Sequence, residues 1–349
     1  MQPVKISQWM RLVTLAIALL GAGFAAKAIA QLPPLYANVP VSLVPAETVA
    51  EFPPNTFLES IVVDEAGTLY ITSYEEGKIY RIQSGAEPEL FATIDGKVAG
   101  LEFTPDGGLL VSGWNREGVS TLFSVSIAGE VKTLLTVPEA QFLNGITRLA
   151  GDTVPGALGD TVPGALRDTV PGALRDRYLI ADSYVGAIWE FNTTTNTARI
   201  WLQDPMLARA TTENPTPAVN GLKIHEGVLY ASNTAKATLL KIPLQADGEP
   251  GAIEVFVQPA VIDDFAIDPA GNLYGTTHVF NSVVRIAPDG SMTTIAQAEQ
   301  GMTGSTALAF GTGSDCASVY VVTNGGMTLP PPEGVQSAEV VRLEIANSN

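Results

Sequence analysis

From residue 41 onward the chain alternates short apolar runs with turn residues, and the pattern repeats. Asp263-Asp264-Phe265-Ala266-Ile267-Asp268-Pro269-Ala270-Gly271-Asn272-Leu273-Tyr274 gives the unit: a polar residue, an apolar strand, a glycine turn and a second strand. Glu59-Ser60-Ile61-Val62-Val63-Asp64-Glu65-Ala66-Gly67-Thr68-Leu69-Tyr70 matches it. Further copies begin at Ala99 and Asn220, and looser ones at Asn144 and Thr306. The first copy predicts strands over 60–63, 68–72, 78–83 and 90–94. The second predicts them over 101–103, 109–112, 121–127 and 131–137. Amphipathic helical spacing is almost absent after residue 30.

The intervals between repeat starts are 40, 45, 76, 43 and 43 residues. The long interval contains three octads, 152–159, 160–167 and 168–175, reading Asp-Thr-Val-Pro-Gly-Ala-Leu-Gly/Arg; without those 24 residues it shrinks to 52. This tandem insertion is expected in a protruding loop, where extra length costs little. Cycles of about four strands over 40–52 residues specify propeller blades. The period is too long for the coils of a β-helix. Six starts predict an all-β, six-bladed β-propeller spanning 41–347. After Thr306 the chain has strands near 308–310, 319–323 and 340–344 and ends one short. The spare strand in 41–52 is expected to complete the last blade and close the ring.

Composition adds a compartment and excludes partners. Residues 1–30 have a basic start at Lys5 and Arg11, 15 largely apolar residues over 12–26, and Ala28-Ile29-Ala30 as a cleavage site. They read as a signal peptide, followed by a linker over 31–40. The apolar run falls short of the roughly 20 residues that span a bilayer. Cleavage after Ala30 predicts an exported protein, periplasmic or extracellular, with no stable membrane span. It also takes the net charge from −17 to −20. An uncleaved anchor is the other reading of this segment. Such an acidic surface repels phosphate backbones, so nucleic acid is not an expected partner. The single cysteine, Cys316, excludes an intrachain disulfide, and no cysteine pair for haem attachment exists.

The repeat starts define one column, and four of its six positions carry a carboxylate or amide oxygen: Glu59, Asn144, Asn220 and Asp263. The first strand of a propeller blade lines the central channel, so these side chains are expected to converge at one mouth. Two carboxylates and two amide oxygens suit a hard cation, with calcium the natural candidate. No His/Cys grouping suits zinc. Each residue has an alternative role as a turn cap, and Asn-Gly is a common turn pair. The register with Asn220 favours Asp263 over Asp264 as ligand. The ends of the second strands, Ser73, Trp114, Asp182, Asn233, His278 and Asn324, are expected to rim the same mouth. Of these, His278 and Asp182 are candidates for proton transfer, and His278 has a structural alternative. His225 falls at the opposite end, in a turn.

Leu58-Glu59-Ser60, Leu143-Asn144-Gly145, Val219-Asn220-Gly221 and Asp263-Asp264-Phe265-Ala266-Ile267-Asp268 together resemble the senescence-marker-protein, gluconolactonase and luciferin-regenerating-enzyme family. Ala181-Asp182-Ser183-Tyr184 and Ser232-Asn233-Thr234 add to the resemblance. It implies a six-bladed propeller in which the matching Glu, two Asn and Asp hold one catalytic divalent cation, usually calcium, and small lactones or organophosphates are hydrolysed. The family usually has glycine where this chain has Ser60 and Asp264. Its sugar-lactonase branch often has arginine where Phe142 stands, which here favours a less polar substrate. The resulting expectation is an exported calcium-dependent lactone or ester hydrolase with Asp263 as base or nucleophile. The alternative is a non-catalytic propeller that binds or scaffolds, with a structural metal or none.

Overall fold

The computed structural model describes residues 35–149, 176–209, 211 and 215–345. The signal segment and the octads lie outside the described residues. Residues 1–38 and 39–349 form separate units, and every described strand belongs to the second.

Among the described residues, twenty-four strands form six four-stranded sheets. This is the predicted six-bladed propeller. The inner strands of blades 1 to 6 are Leu58–Val63, Gly96–Phe103, Leu143–Arg148, Val219–His225, Phe265–Ile267 and Ser305–Phe310. Every predicted strand of blades 1 and 2 is present, with ends shifted by a few residues. Strand Ala46–Phe52 pairs antiparallel with Ala338–Glu344 as the outer edge of blade 6, so the two ends of the repeat array close the ring. Among the described residues, helix is confined to two short 3-10 turns, Ala298–Gln300 and Gly313–Asp315. No helix among the described residues is long and apolar enough to cross a membrane.

Both faces of each blade are apolar, and the core lies between blades. One buried cluster joins blades 6 and 1 through Phe52, Leu58, Ile71, Ala307 and Val340; another joins blades 3 and 4 through Leu179, Ile188, Leu222, Leu229 and Leu240. Burying one such Leu or Ile side chain contributes about 1.5–3 kcal/mol. Because each cluster needs two blades, closure by the N-terminal strand stabilises the first blade as well as the last.

The inner strands are irregular at one level. Pairing with the second strand slips between Leu58 and Ile61, Val98 and Leu101, Leu143 and Ile146, Val219 and Leu222, and Ser305 and Ala307. Each slip is a β-bulge, and the column residues sit in it. A bulge turns a side chain out of the regular alternation, which is how Glu59, Asn144 and Asn220 reach the axis.

Candidate functional site

A hydroxyl on the second strand plugs several of these bulges. Thr72 Oγ1 accepts from Ser60 N (2.9 Å) and donates to the Ala99 carbonyl of the next blade (2.8 Å). Ser112 Oγ accepts from Gly100 N (3.0 Å) and donates to Asn144 O (2.6 Å). Ser232 Oγ does the same between Gly221 N (2.9 Å) and Asp263 O (3.0 Å). Thr276 Oγ1 accepts from Asp264 N (3.2 Å) and donates to Thr306 O (2.7 Å). In blades 1, 2 and 4 the latch bonds an N–H inside the bulge, in blade 5 it does so without a register slip, and each one fixes the backbone of the next column residue. In the sequence they show only as a Ser or Thr in the second strand, without the partner in the next blade that makes them latches.

Glycine has a related role. A Cβ on Gly145 would overlap the Asn220 carbonyl oxygen, and one on Gly221 would overlap Asp263 O and the Asp264 carboxylate. Asn144-Gly145 and Asn220-Gly221 are therefore not turns. Their glycines let neighbouring inner strands approach.

Glu59, Asn144, Asn220 and Asp263 line one constriction of the channel, of about 10 Å³, together with Gly100 and Thr306. That is room for one ion or water. Asn220 Nδ2 donates to Asp263 Oδ1, and His278 Nδ1 lies 2.8 Å from Asp263 Oδ2. Asn144 Nδ2 meets Ser183 Oγ at 3.4 Å. Among the described residues, no donor bonds the Glu59 carboxyl or the side-chain oxygens of Asn144 and Asn220. Burial pushes the Glu59 carboxyl well above the usual glutamate range, and the charges of Asp263 and then Asp264 push it further. Four unclaimed oxygens from three side chains in a negative, one-ion space form a donor set that fits a hard divalent cation. No group of three or more His, Cys, Asp or Glu side chains able to hold a metal occurs among the described residues; this set has two carboxylates and two amides.

Asp264 touches the same constriction, but its carboxylate pairs with Lys223 Nζ at 2.9 Å and also lines an adjoining cavity of about 210 Å³, formed by the next residues along the inner strands, among them Phe103, Ile146 and Phe310.

The rim residues divide. His278 joins the column through Asp263. It is held in the left-handed region at φ 46°, which costs energy in a non-glycine residue, and its N–H donates to Ser305 O (3.0 Å) in the next blade. Asp182 lies apart from the constriction. It is fully buried, and its carboxylate accepts from the backbone of Gln141, Phe142, Tyr184 and Val185 and from Trp189 Nε1, at 3.0–3.3 Å. Five donors make it the fastener of a blade turn, with no geometry for proton transfer to a bound molecule. Asn233 caps a turn through Lys236 N (3.0 Å) and donates to Met206 O (2.9 Å) and Ala208 O (3.1 Å). Ser73 Oγ donates to Glu76 (2.8 Å). Trp114 belongs to a run of rings that sequence reasoning did not assemble: Phe57, Tyr74, Trp114, Phe142 and Tyr184. Cys316 is exposed.

The architecture and site define a six-bladed propeller with an oxygen-lined channel mouth. Residues 177–325 carry an SMP-30/gluconolactonase/LRE-like region, by a match to that family's sequence profile. A search of curated protein sequences finds no match. Among solved structures, the calcium-binding protein regucalcin from Agrobacterium tumefaciens aligns over 88% of this chain and 97% of its own, with TM-score 0.62 and 15% identity. A gluconolactonase from Xanthomonas campestris aligns over 90% and 94%, with TM-score 0.59 and 12% identity. A luciferin-regenerating enzyme aligns over 87% and 96%, with TM-score 0.59 and 13% identity. At these identities the likeness shows the shared fold.

Proposed function

We propose that this chain is an exported, calcium-dependent hydrolase of a lactone or ester, periplasmic or extracellular, acting at the channel mouth on a small molecule. The observation that carries the reading is the meeting of Glu59, Asn144, Asn220 and Asp263 at a one-ion constriction, with both Glu59 oxygens and the two asparagine Oδ1 atoms unclaimed by protein donors among the described residues. The gluconolactonase-like match over 177–325 supports it.

Glu59 Oε, Asn144 Oδ1, Asn220 Oδ1 and Asp263 would hold the cation, leaving positions open to water or substrate. When bound, a divalent cation supplies Lewis-acid polarisation of a carbonyl or phosphoryl oxygen and stabilisation of the oxyanion. Asp263 Oδ2 would be the base or nucleophile. His278, with Nδ1 2.8 Å from Asp263 Oδ2, would orient that carboxylate, and the proton that Asp263 takes from the attacking water would pass to the leaving oxygen. A lactone and ester panel, assayed with calcium against wild type and Asp263→Ala, tests the reading: turnover should require both calcium and Asp263. Unchanged turnover in Asp263→Ala would overturn it.

A second reading, a non-catalytic propeller that binds or scaffolds, has its own observation. Asn220 and His278 already engage both oxygens of Asp263, so that carboxylate has partners without a cation. Saturable binding without turnover would favour it.

A further inference from the structure

Five aromatic rings follow one another along one side of the channel mouth. Ring centroids are 5.5 Å apart for Phe57 and Tyr74, 5.8 Å for Tyr74 and Trp114, 4.5 Å for Trp114 and Phe142, and 5.1 Å for Phe142 and Tyr184. The run starts at the column: Phe57 meets the His278 ring edge-on at 6.0 Å. Burial, and after it the charge of Glu59, hold the Tyr74 phenol well above the usual tyrosine range. Two cations fence the run, Lys97 over Tyr74 (5.2 Å) and Arg209 over Tyr184 (4.6 Å).

The run is one-sided. Phe57 and Phe142 stand two residues before Glu59 and Asn144, whereas the equivalent places before Asn220, Asp263 and Thr306 hold Ala218, Val261 and Gly304. Blades 1 to 3 thus bring large rings to the mouth, and blades 4 to 6 bring small residues opposite. Phe57, Tyr74, Trp114 and Tyr184 are half-buried, so each ring keeps some surface open to solvent. An apolar wall beside a few convergent polar groups has the make-up of a small-molecule pocket.

We infer that this crescent is the subsite for a flat aromatic ring, so that the molecule acted on at the column is an aryl ester or an aromatic-fused lactone rather than a polyhydroxylated sugar lactone. The ring stacks on or packs edge-to-face against Trp114 and its neighbours, placing an adjoining carbonyl toward Glu59 and Asp263. Assigning the ring to a substrate rests on the hydrolase reading; ring binding itself does not.

The test uses naphthol, a flat ring with no hydrolysable bond, in equilibrium dialysis against the protein with and without calcium. Trp114→Leu and Tyr184→Leu are compared with wild type, because both sites keep some surface open to solvent and a leucine there leaves the fold in place, checked by thermal unfolding. Saturable binding by wild type, weakened about fivefold by each substitution, with phenyl acetate hydrolysed in preference to ethyl acetate, supports the subsite. Naphthol binding that does not saturate, or that both variants keep at full strength, overturns it. Naphthol binding lost in the variants while no ester is hydrolysed by wild type sustains the subsite and rejects the hydrolase reading alone.

Discussion

Asp263 Oδ2 lies 2.8 Å from His278 Nδ1, and the other ring nitrogen, Nε2, lies 2.9 Å from Asn324 Nδ2. The roles follow from Asn324. Its Oδ1 accepts from Gly326 N (2.9 Å) and Met327 N (3.1 Å), so its Nδ2 faces the imidazole and donates. Nε2 must then be the acceptor, and the ring proton sits on Nδ1, aimed at Asp263. Nitrogen NMR of the His278 ring should find Nδ1 protonated and Nε2 bare. Protonation on Nε2 alone would contradict the arrangement.

Asp182 separates structure from chemistry. Asp182→Asn replaces an acceptor of five N–H groups with a side chain that itself donates. It should cost roughly 2–3 kcal/mol in denaturant unfolding and leave calcium affinity within about twofold. A large loss of calcium affinity at unchanged stability would return Asp182 to the site.

The latch hydroxyls carry a parallel expectation. Ser232→Ala removes one of the partners of Gly221 N and of Asp263 O at a buried position, leaving their direct 3.1 Å bond, and should destabilise by about 1 kcal/mol. Because Asp263 moves with its backbone, calcium affinity should fall as well. The exposed-turn change Ser84→Ala is the control, and equal effects from the two would contradict the latch.

The closing blade has an acid-sensitive fastening. Burial pushes Asp315 up, but bonds from Arg342, at 2.6 Å, and from Tyr320 and Ser318 outweigh it and hold the carboxyl below its ordinary value. A carboxyl lowered on folding stabilises above its unfolded value, near about 3.9, and loses that contribution as pH falls through the folded one. Asp315→Asn should therefore be less stable than wild type by roughly 1–2 kcal/mol at neutral pH. The difference should vanish as acid protonates Asp315. A difference that persists in acid would assign it to packing.

The period of the turns fixes blade number, and the missing strand after residue 344 reveals how the ring closes, because both depend on local pattern alone. The column was legible for the same reason: one residue per repeat at one register. The latches were not, since Ser112 finds its acceptor 32 residues on, in another blade. Asn-Gly is ambiguous in a sequence; only the approach of the next inner strand shows that Gly145 and Gly221 serve packing. Phe142 stood out singly as a departure from the sugar-lactonase pattern, but its partners come from three blades and needed coordinates to become one wall. Asp182 occupies a rim register like that of His278, and only the turn around it, which delivers five donors, distinguishes the two.

Calorimetric titration of calcium into metal-stripped protein beginning at Gln31, with Asp263→Ala and Glu59→Gln titrated in parallel, decides whether the oxygen column is a metal centre. One site per chain is expected, lost in Asp263→Ala and weakened at least about tenfold in Glu59→Gln, because each change removes one of two ligating charges. No heat of binding in the native protein, or one site surviving both substitutions, would contradict the assignment.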